Sequence, residues 1–191
     1  MRLVAPTMEY DGQIQAYRRE FLAIGGSMDG TGSLRRCGAT RDWLDEVESL
    51  KSAETAPHGW VPSTQFLYVR ESDGKIVGMI QIRHRFNAFL ERYGGHIGYS
   101  VCPSERGKGY ATRMLGQTLP CCVALGLDRV LITCDEGNEG SRRVILNNGG
   151  VYESTVCEPE EHARLQRYWI DLAKRQEAPE ATPASHGRTD S

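Results

Sequence analysis

The hexapeptide from Arg106 to Ala111 has the residue types that hold a phosphate group. It follows an apolar run typical of a buried strand and precedes residues with helical periodicity. Gly107 and Gly109 let the backbone approach a ligand closely. The first amides of the following helix are unpaired donors at the positive end of the helix dipole. The sequence therefore predicts an anion-binding site where this helix begins.

The spacing of these glycines separates the hexapeptide from two common nucleotide motifs. It matches neither the dinucleotide pattern G-x-G-x-x-G nor the P-loop pattern G-x-x-x-x-G-K-[ST]. The hexapeptide RGKGYA instead resembles the R/Q-x-x-G-x-G/A signature of the GNAT acyl-CoA N-acyltransferases. The resemblance implies that this segment binds the pyrophosphate of coenzyme A. The order of the predicted elements is also similar to that of the family, over roughly residues 3–172.

The resemblance extends to both sides of the hexapeptide. In GNAT proteins the preceding strand separates from its neighbour and leaves backbone groups free for the pantetheine arm of the cofactor. After the next strand, Asn138 and Ser141 match the family's N-x-x-[AS] contact to that arm, although Asn138 is equally suited to cap a helix. The expected cofactor-binding residues are therefore Tyr99, Ser100, Val101, Cys102, Arg106, Gly107, Lys108, Gly109, Tyr110, Ala111, Thr112, Asn138 and Ser141.

The family resemblance implies an enzyme that transfers an acetyl group from acetyl-CoA to a primary amine, directly and within a ternary complex, without a metal. Longer stretches around the hexapeptide are similar to a GNAT subgroup of predicted acetyltransferases, which implies no particular acceptor. We expect a small-molecule amine, such as a metabolite or an amine antibiotic, because the mixed charges offer no docking field for a basic peptide. Alternatives are acetylation of protein lysines or N-termini, a non-catalytic acyl-CoA sensor and a protein-interaction module.

The transfer needs a base, because an amine is mostly protonated at neutral pH. GNAT proteins often carry a carboxylate two residues before the position of Gly98, and this sequence has His96 there. Histidine can accept a proton in this pH range. A hydrogen bond at a strand end is the alternative role for His96. His84, at the end of the preceding predicted strand, is a second candidate base if the strand register brings it to the cleft.

The transfer also needs a proton for the departing thiolate. Many relatives carry a tyrosine seven residues after the cofactor-loop asparagine, but this sequence has Ile145, which cannot donate a proton. Water or another phenol must then serve, and Tyr152 is our candidate among Tyr110, Tyr152 and Tyr168. The donor to the thioester oxygen is expected to be a backbone amide near Tyr99 or Ser100.

Composition limits the architecture and the partners. The chain has 191 residues, 39% of them hydrophobic, which fits one compact domain with a core and a ligand cleft. We expect this domain to span residues 1–176 and a disordered tail to occupy 177–191. With 23 Lys and Arg against 25 Asp and Glu, the formal net charge is −2, so we expect neither nucleic acid nor a membrane as partner.

The sequence has neither a membrane-spanning apolar run nor a signal-peptide pattern, so the expected location is the cytoplasm. The six cysteines are scattered without metal-binding spacing, and we expect reduced thiols in the core. A homodimer is the oligomer that the family resemblance implies.

Apolar periodicity predicts a single-domain α/β protein with a GNAT-like fold, in which a central mixed β-sheet has helices on both faces. The glycine-rich run 25–38 is expected to be a flexible connection, and Thr40 or Asp42 to cap the next helix. Pro120 predicts a kink or break near Leu119. Loops 25–38, 57–65 and 86–95 are expected to set acceptor specificity. Expected helices begin near residues 6, 40, 108 and 139, and expected strands cover 2–5, 66–71, 75–83, a stretch after 95, 129–134, 151–157 and 165–172.

Overall fold

The computed structural model describes residues 1–160 and 162–173. The predicted tail 177–191 lies outside the described residues. The strands are β1 (Arg2–Val4), β2 (Ser63–Val69), β3 (Ile76–Arg83), β4 (Ile97–Val101), β5 (Arg129–Asp135), β6 (Val151–Cys157) and β7 (Arg164–Asp171). The helices are α1 (Asp11–Ile24), α2 (Thr40–Ser49), α3 (Tyr110–Ala124) and α4 (Glu139–Asn147), with short turns of 3-10 helix at Met8–Tyr10 and Pro103–Glu105 and of π-helix at Leu90–Gly94.

The strands form two antiparallel sheets, with strand orders β1-β2-β3-β4 and β5-β7-β6. The GNAT-like α/β fold is confirmed, with one difference from the prediction: the central sheet is divided between β4 and β5. Within the described residues, a single backbone hydrogen bond joins the two sheets, from His96 N to Leu131 O at 2.7 Å. Leu131 N donates to His96 Nδ1 at 2.9 Å, so the imidazole takes the place of a second backbone acceptor. The hydrogen bonding between the backbones of the two sheets is therefore confined to His96 and Leu131.

Helices pack on both faces of the first sheet, because side chains that alternate along its strands point to opposite faces. On one face, α1 and α2 cover a core of their own. On the other face, α3 and α4 form a larger core with side chains from both sheets. The buried members include Ile14, Phe21, Trp43, Leu67 and Met79 in the first core and Tyr68, Ile80, Leu115, Ile132 and Ile145 in the second.

The connection 25–38, which we call the roof loop, is packed against β4 rather than flexible, and this corrects the prediction. Met28 and Thr31 are almost completely buried. Trp43 Nε1 donates to the Thr31 carbonyl at 2.8 Å. Gly30, at φ +72°, lies so close to β4 that a Cβ atom there would be 2.0 Å from the Gly98 carbonyl oxygen. Glycine at this position serves a close contact instead of mobility.

The start of α2 differs from the prediction in its cap. The N-cap residue is Ala39, and no side chain caps the helix. Thr40 Oγ1 instead accepts a hydrogen bond from Gln15 Nε2 at 3.0 Å, which ties α2 to α1. The helix ends at Ser49.

The sequence predicts a kink or a break near Leu119, and the break is absent, since α3 continues through Pro120 to Ala124. Proline removes one backbone hydrogen bond from the helix. Pro120 itself is exposed, whereas its neighbours Leu119 and Cys122 are fully buried in the larger core. Packing of these two side chains therefore holds the helix together past the missing bond.

All six cysteines are free thiols. Cys102, Cys122 and Cys134 are buried, as the prediction of core thiols requires. Cys157 is exposed on β6, so the prediction is wrong for this residue.

The junction between the sheets yields a stability prediction. Gly95 has φ +65°, and a Cβ atom there would lie 2.6 Å from the Leu131 carbonyl oxygen. We expect Gly95→Ala to lower the free energy of unfolding by about 2–4 kcal/mol, through backbone strain and the clash together. Urea titration measures this loss.

Gly74→Ala is the matched control, because Gly74 has φ +69° but nothing within 4 Å of its Cβ position. It should cost only about 1 kcal/mol, from the positive φ alone. Equal losses for the two variants would mean that the close approach to Leu131 contributes nothing.

Candidate active site

Beyond the junction at His96, β4 and β5 separate and each has a free edge. Within the part of the chain that the structure describes, β4 pairs only with β3, and β5 only with β7. Alternate residues of an antiparallel strand turn their backbone groups away from the partner. Cys102 N donates to Val77 O, so the even-numbered residues direct their backbone groups toward β3. The odd-numbered residues of β4 therefore direct theirs away from β3, and Tyr99 is the central one of these. Neither the N–H nor the C=O of Tyr99 bonds to β5 or to a loop within the described residues, so the edge can take an added extended chain.

Free amides gather at the start of α3, beyond the end of β4. Gly109 is the N-cap residue at φ +74°, no side chain caps the helix, and its first turn has no acidic residue. Gly107 has φ +76°, and nothing lies within 4 Å of a Cβ position at either glycine. The amides of residues 107–112 donate to no group within the described chain. The backbone thus offers unpaired donors to an anion approaching from solvent.

A buried carboxylate holds this segment in place. The Glu105 side chain is 5% exposed and accepts hydrogen bonds from Lys108 Nζ, Lys75 Nζ and Arg70 Nη1, each at 2.9 Å. These bonds, that from Lys108 first, lower the pKa of Glu105 to about 2. Because Arg70 also pairs with Asp73 at 2.7 Å, the cluster has three cations and two carboxylates, and one positive charge remains beside the free amides. Sequence analysis identified only Lys108 in this cluster, because Arg70 and Lys75 lie 35 and 30 residues from Glu105 along the chain.

Two hydroxyl groups meet across the mouth of the cleft. Tyr99 Oη lies 2.8 Å from Ser141 Oγ, which links β4 to the start of α4. Asn138 Oδ1 accepts from Ser141 N at 3.0 Å, so Asn138 caps α4, one of its two predicted roles. Burial raises the pKa of Tyr99, which therefore keeps its proton at neutral pH. Burial also raises the pKa of Cys134 to about 11, so this thiol is unsuited to carry an acyl group.

The other predicted cofactor residues differ in what they offer. Ser100 Oγ donates to the Asp29 carbonyl at 2.6 Å, and Cys102 Sγ donates to a carboxylate on α1. The backbone groups of both residues point toward β3, so the structure does not direct them to the cleft. Val101 O, on the cleft edge, accepts from Arg106 Nε at 3.3 Å. The first turn of α3 contributes its backbone amides from Tyr110, Ala111 and Thr112.

His96 joins the two sheets, and its contacts argue against the predicted base role. Its Nδ1 accepts from Leu131 N, and its ring centroid lies 4.0 Å from that of Phe86. Burial lowers the pKa of His96 to about 4, with smaller contributions from the fields of Arg83 and Arg129. A neutral imidazole with Nδ1 as acceptor carries its proton on Nε2, so no lone pair is left for a proton from an amine. The alternative role, a hydrogen bond at the strand end, is the one observed.

The other two catalytic candidates lie away from the cleft. His84 Nε2 is 2.8 Å from Thr64 Oγ1, so this side chain faces β2 rather than β4. Tyr152 Oη is 2.9 Å from Thr155 Oγ1 on β6, and β7 lies between β6 and β5. The structure therefore brings neither residue to the free edges of β4 and β5.

Two charged residues beside the cleft escaped sequence analysis. Asp29 is an exposed residue of the roof loop, fixed over β4 by the bond from Ser100 Oγ to its carbonyl. Arg83, the last residue of β3, is partly buried, and a Cβ atom at Gly98 would lie 3.3 Å from Arg83 Nη2. Neither residue belongs to a motif. The folded roof loop brings Asp29 over β4, and the pairing of β3 with β4 brings Arg83 there.

No group of three or more His, Cys, Asp and Glu side chains that could hold a metal ion occurs among residues 1–160 and 162–173. None of the helices in the same part of the chain combines the length and the apolar character needed to pass through a lipid bilayer.

The Glu105 cluster predicts a pH dependence of stability. Because the pKa of Glu105 falls from 4.5 to about 2 on folding, its ionised form stabilises the protein above pH 4.5, and this contribution is lost as the pH falls from 4.5 to 2. We expect Glu105→Gln to be less stable than wild type at pH 7, with a difference that shrinks over that acid range. Denaturant titrations at several pH values measure the difference.

Glu48→Gln is the matched control, because Glu48 pairs with Lys51 on an exposed surface. An exposed pair contributes little to stability, so this variant should follow wild type throughout. A Glu105→Gln difference that stays constant with pH would contradict the assignment.

Comparisons with known proteins agree with this geometry. Residues 18–151 match the family model of the acetyltransferase (GNAT) domain. No curated protein sequence gives a significant match. Among solved structures, RimJ from Mycobacterium smegmatis, in complex with CoA-disulfide, is similar at 24% identity and a TM-score of 0.65, over 92% of this chain and 83% of RimJ.

Two further structures have a similar fold. The ribosomal-protein-S5-alanine acetyltransferase from Vibrio fischeri matches at 17% identity and a TM-score of 0.68, over 90% of this chain and 92% of that protein. The dodecameric spermidine N-acetyltransferase from Vibrio cholerae matches at 13% identity and a TM-score of 0.63, over 92% of this chain and 96% of that protein. Because the family match covers more than two thirds of the sequence and the fold agrees with it, this chain belongs to the GNAT family of acetyl-CoA-dependent N-acetyltransferases.

Proposed function

We propose that this N-acetyltransferase acetylates the primary amine of a small molecule, by direct transfer within a ternary complex. The observation that carries the proposal is the packing of the roof loop on β4, where the Gly30 backbone touches Gly98. A loop in this position narrows the approach to the free edge of β4 and favours a compact acceptor over a polypeptide. The related structures include acetyltransferases of both ribosomal protein and spermidine.

The residues of the cleft fit acetyl-CoA, which supplies the acetyl group as an activated thioester. The free amides of residues 107–112 and the positive charge of the Glu105 cluster suit its pyrophosphate. The free backbone groups of Tyr99 suit an amide of the pantetheine arm, in the manner of an added strand. Ser141, at the capped start of α4, lines the opposite side of the same cleft.

The amide of Tyr99 is our candidate donor to the thioester oxygen. Sequence analysis left Tyr99 and Ser100 as alternatives. The alternation along β4 commits the Ser100 amide to β3, whereas the Tyr99 amide points to the cleft. A preorganised backbone donor is well suited to stabilise negative charge that develops on an oxygen.

The hydroxyls of Tyr99 and Ser141 are our candidates for protonating the departing sulfur. Both are hydroxyl groups, and their oxygens lie 2.8 Å apart at the mouth of the cleft. The raised pKa of Tyr99 favours its protonated form, as a proton donor requires. This pair would replace the tyrosine that many relatives carry where this chain has the fully buried Ile145.

Asp29 is our candidate for receiving the ammonium group of the acceptor. Its Oδ1 accepts from Ser27 Oγ at 2.6 Å, while Oδ2 has no partner within the described residues. A carboxylate on the roof loop attracts a protonated amine, can accept a proton from it, and can then pass that proton to water. We further propose that the protein is cytoplasmic and has no nucleic-acid partner, in keeping with the net charge of −2. We also propose that it forms a homodimer, in keeping with the exposed Val151 and Tyr152 on the edge strand β6.

Cofactor binding provides the first test. We expect Gly109→Trp to weaken binding of acetyl-CoA and of free CoA by about 10²-fold or more, because the indole covers several donors of charge-assisted hydrogen bonds. Titration calorimetry measures both affinities. Unchanged binding would contradict the assignment of the anion site.

Gly126→Trp is the control for this variant. Gly126 follows the other end of α3, has φ +79° and likewise has nothing within 4 Å of its Cβ position. The two substitutions therefore introduce similar strain and bulk, and only the one at Gly109 should affect binding.

The acceptor class is tested by thiol release from acetyl-CoA over a panel of small amines and of peptides with free N-termini or lysines. We expect release with small amines. Release with peptides alone would overturn the small-molecule proposal, and tight acetyl-CoA binding without release on either panel would indicate a sensor. Asp29→Asn should slow turnover of the best small amine on the order of 10²-fold. Asp128→Asn, at an exposed residue immediately before β5, should not slow this turnover.

A further inference from the structure

Arg83 carries a charge without an opposite partner. Its Nη1 donates to the carbonyls of Gly94 and Gly95, at 3.0 and 3.3 Å. Within the described residues it forms no ion pair, and its Nε and Nη2 groups donate to no acceptor. The two uncommitted groups lie on one side of the planar guanidinium and are the pair that binds a carboxylate side-on with two parallel hydrogen bonds.

The surroundings of Arg83 make an unpaired charge costly. Burial lowers the pKa of Arg83, and the field of Asp29 raises it. A guanidinium nevertheless stays protonated in proteins, so the fold keeps a partly buried positive charge at this point. The nearby imidazole of His96 is neutral and cannot compensate for it. An anion brought by a ligand would supply the missing partner.

The position of Arg83 separates it from the cofactor's phosphates. Its Nη2 lies against Gly98, next to Tyr99, whose amide is the candidate donor to the thioester oxygen. The anion site at residues 107–112 lies beyond the opposite end of β4, about 10 Å or more along the strand at 3.3 Å per residue. Gly30 of the roof loop contacts the same residue, Gly98, from the same face. Arg83 therefore lies at the acceptor end of the cleft.

We propose that Arg83 is a specificity-determining residue that binds a carboxylate of the acceptor. The acceptors are then amines with a carboxylate a few bonds from the nitrogen, such as amino acids. Asp29 on the roof loop and Arg83 on β3 present opposite charges on one face of β4, which match the two charges of such a zwitterion. This inference rests on the small-amine acceptor proposed above.

The test compares amino acids with their primary amides, which keep the amine and the size but lack the negative charge. For wild type we expect kcat/KM for the best amino acid to exceed that for its amide on the order of 10- to 100-fold, as for loss of a hydrogen-bonded ion pair. Arg83→Met should bring this ratio close to one. Arg83→Lys, which keeps the charge but loses the planar pair of donors, should give an intermediate ratio.

The test remains valid if a variant is less stable, because the two kcat/KM values in the ratio are measured on the same protein sample and are lowered equally. Arg129→Met is the control, since Arg129 is exposed, makes no ion pair within the described residues and stacks on Trp169 at 4.1 Å. It should keep the wild-type ratio. A wild-type ratio near one, or a ratio that survives in Arg83→Met, would overturn the role of Arg83 while leaving the small-amine proposal standing. Bound acetyl-CoA with no turnover of any small amine would overturn the proposed function itself.

Discussion

Within the described residues, one hydrogen bond between backbone groups, from His96 N to Leu131 O, joins the two sheets, and the cleft depends on how short this pairing is. Adjacent strands normally satisfy each other's polar groups along their whole length. Here β4 and β5 do so at one end only, because Gly95 at positive φ brings the chain against Leu131 before β4 begins. Beyond this point each strand presents an unpaired edge. The cleft exists because the hydrogen bonding between β4 and β5 stops at this point.

The two ends of this cleft are built in different ways. At the solvent end, Glu105 gathers three cations and fixes the segment that precedes α3. At the inner end, the roof loop presses Gly30 onto Gly98 and brings Asp29 over β4. One end thus has cations from the β2–β3 turn and from the segment before α3, while the other has the negative Asp29 on the roof loop and the positive Arg83 on β3. The charges at the two ends of the cleft therefore differ, which favours one orientation of a ligand that lies along it.

Sequence analysis succeeded where the signal is local. The helix expected to begin near residue 6 is present as α1, with Ile14, Tyr17 and Phe21 buried, and a helix also follows the hexapeptide as expected. Such patterns depend only on spacing along the chain. The same analysis failed where a role depends on a distant partner. His96 looked like a base, and its acceptor atom is used by a backbone amide 35 residues away.

The roof loop is the clearest case of a misleading local signal. Its high glycine content predicts a flexible connection. Gly30 is nevertheless required by a close contact with β4, which the sequence pattern does not reveal. Arg83 was likewise invisible, because an unpaired guanidinium differs from a paired one only in the folded protein. Pro120 shows the reverse situation, since tertiary packing of Leu119 and Cys122 overrides a strong local rule.

The uncapped start of α3 has a consequence for how long the protein survives in a cell. A ligand that caps this helix and extends β4 binds only the folded state, and at a concentration of 100 times its Kd it adds about 2.7 kcal/mol to the free energy of unfolding. Net stabilities are typically about 5–15 kcal/mol, so that increment removes most of the transient opening on which proteases act. The abundance of this enzyme should therefore rise and fall with the concentration of its own acyl donor. A shortage of that donor would increase degradation of the enzyme as well as lower its turnover.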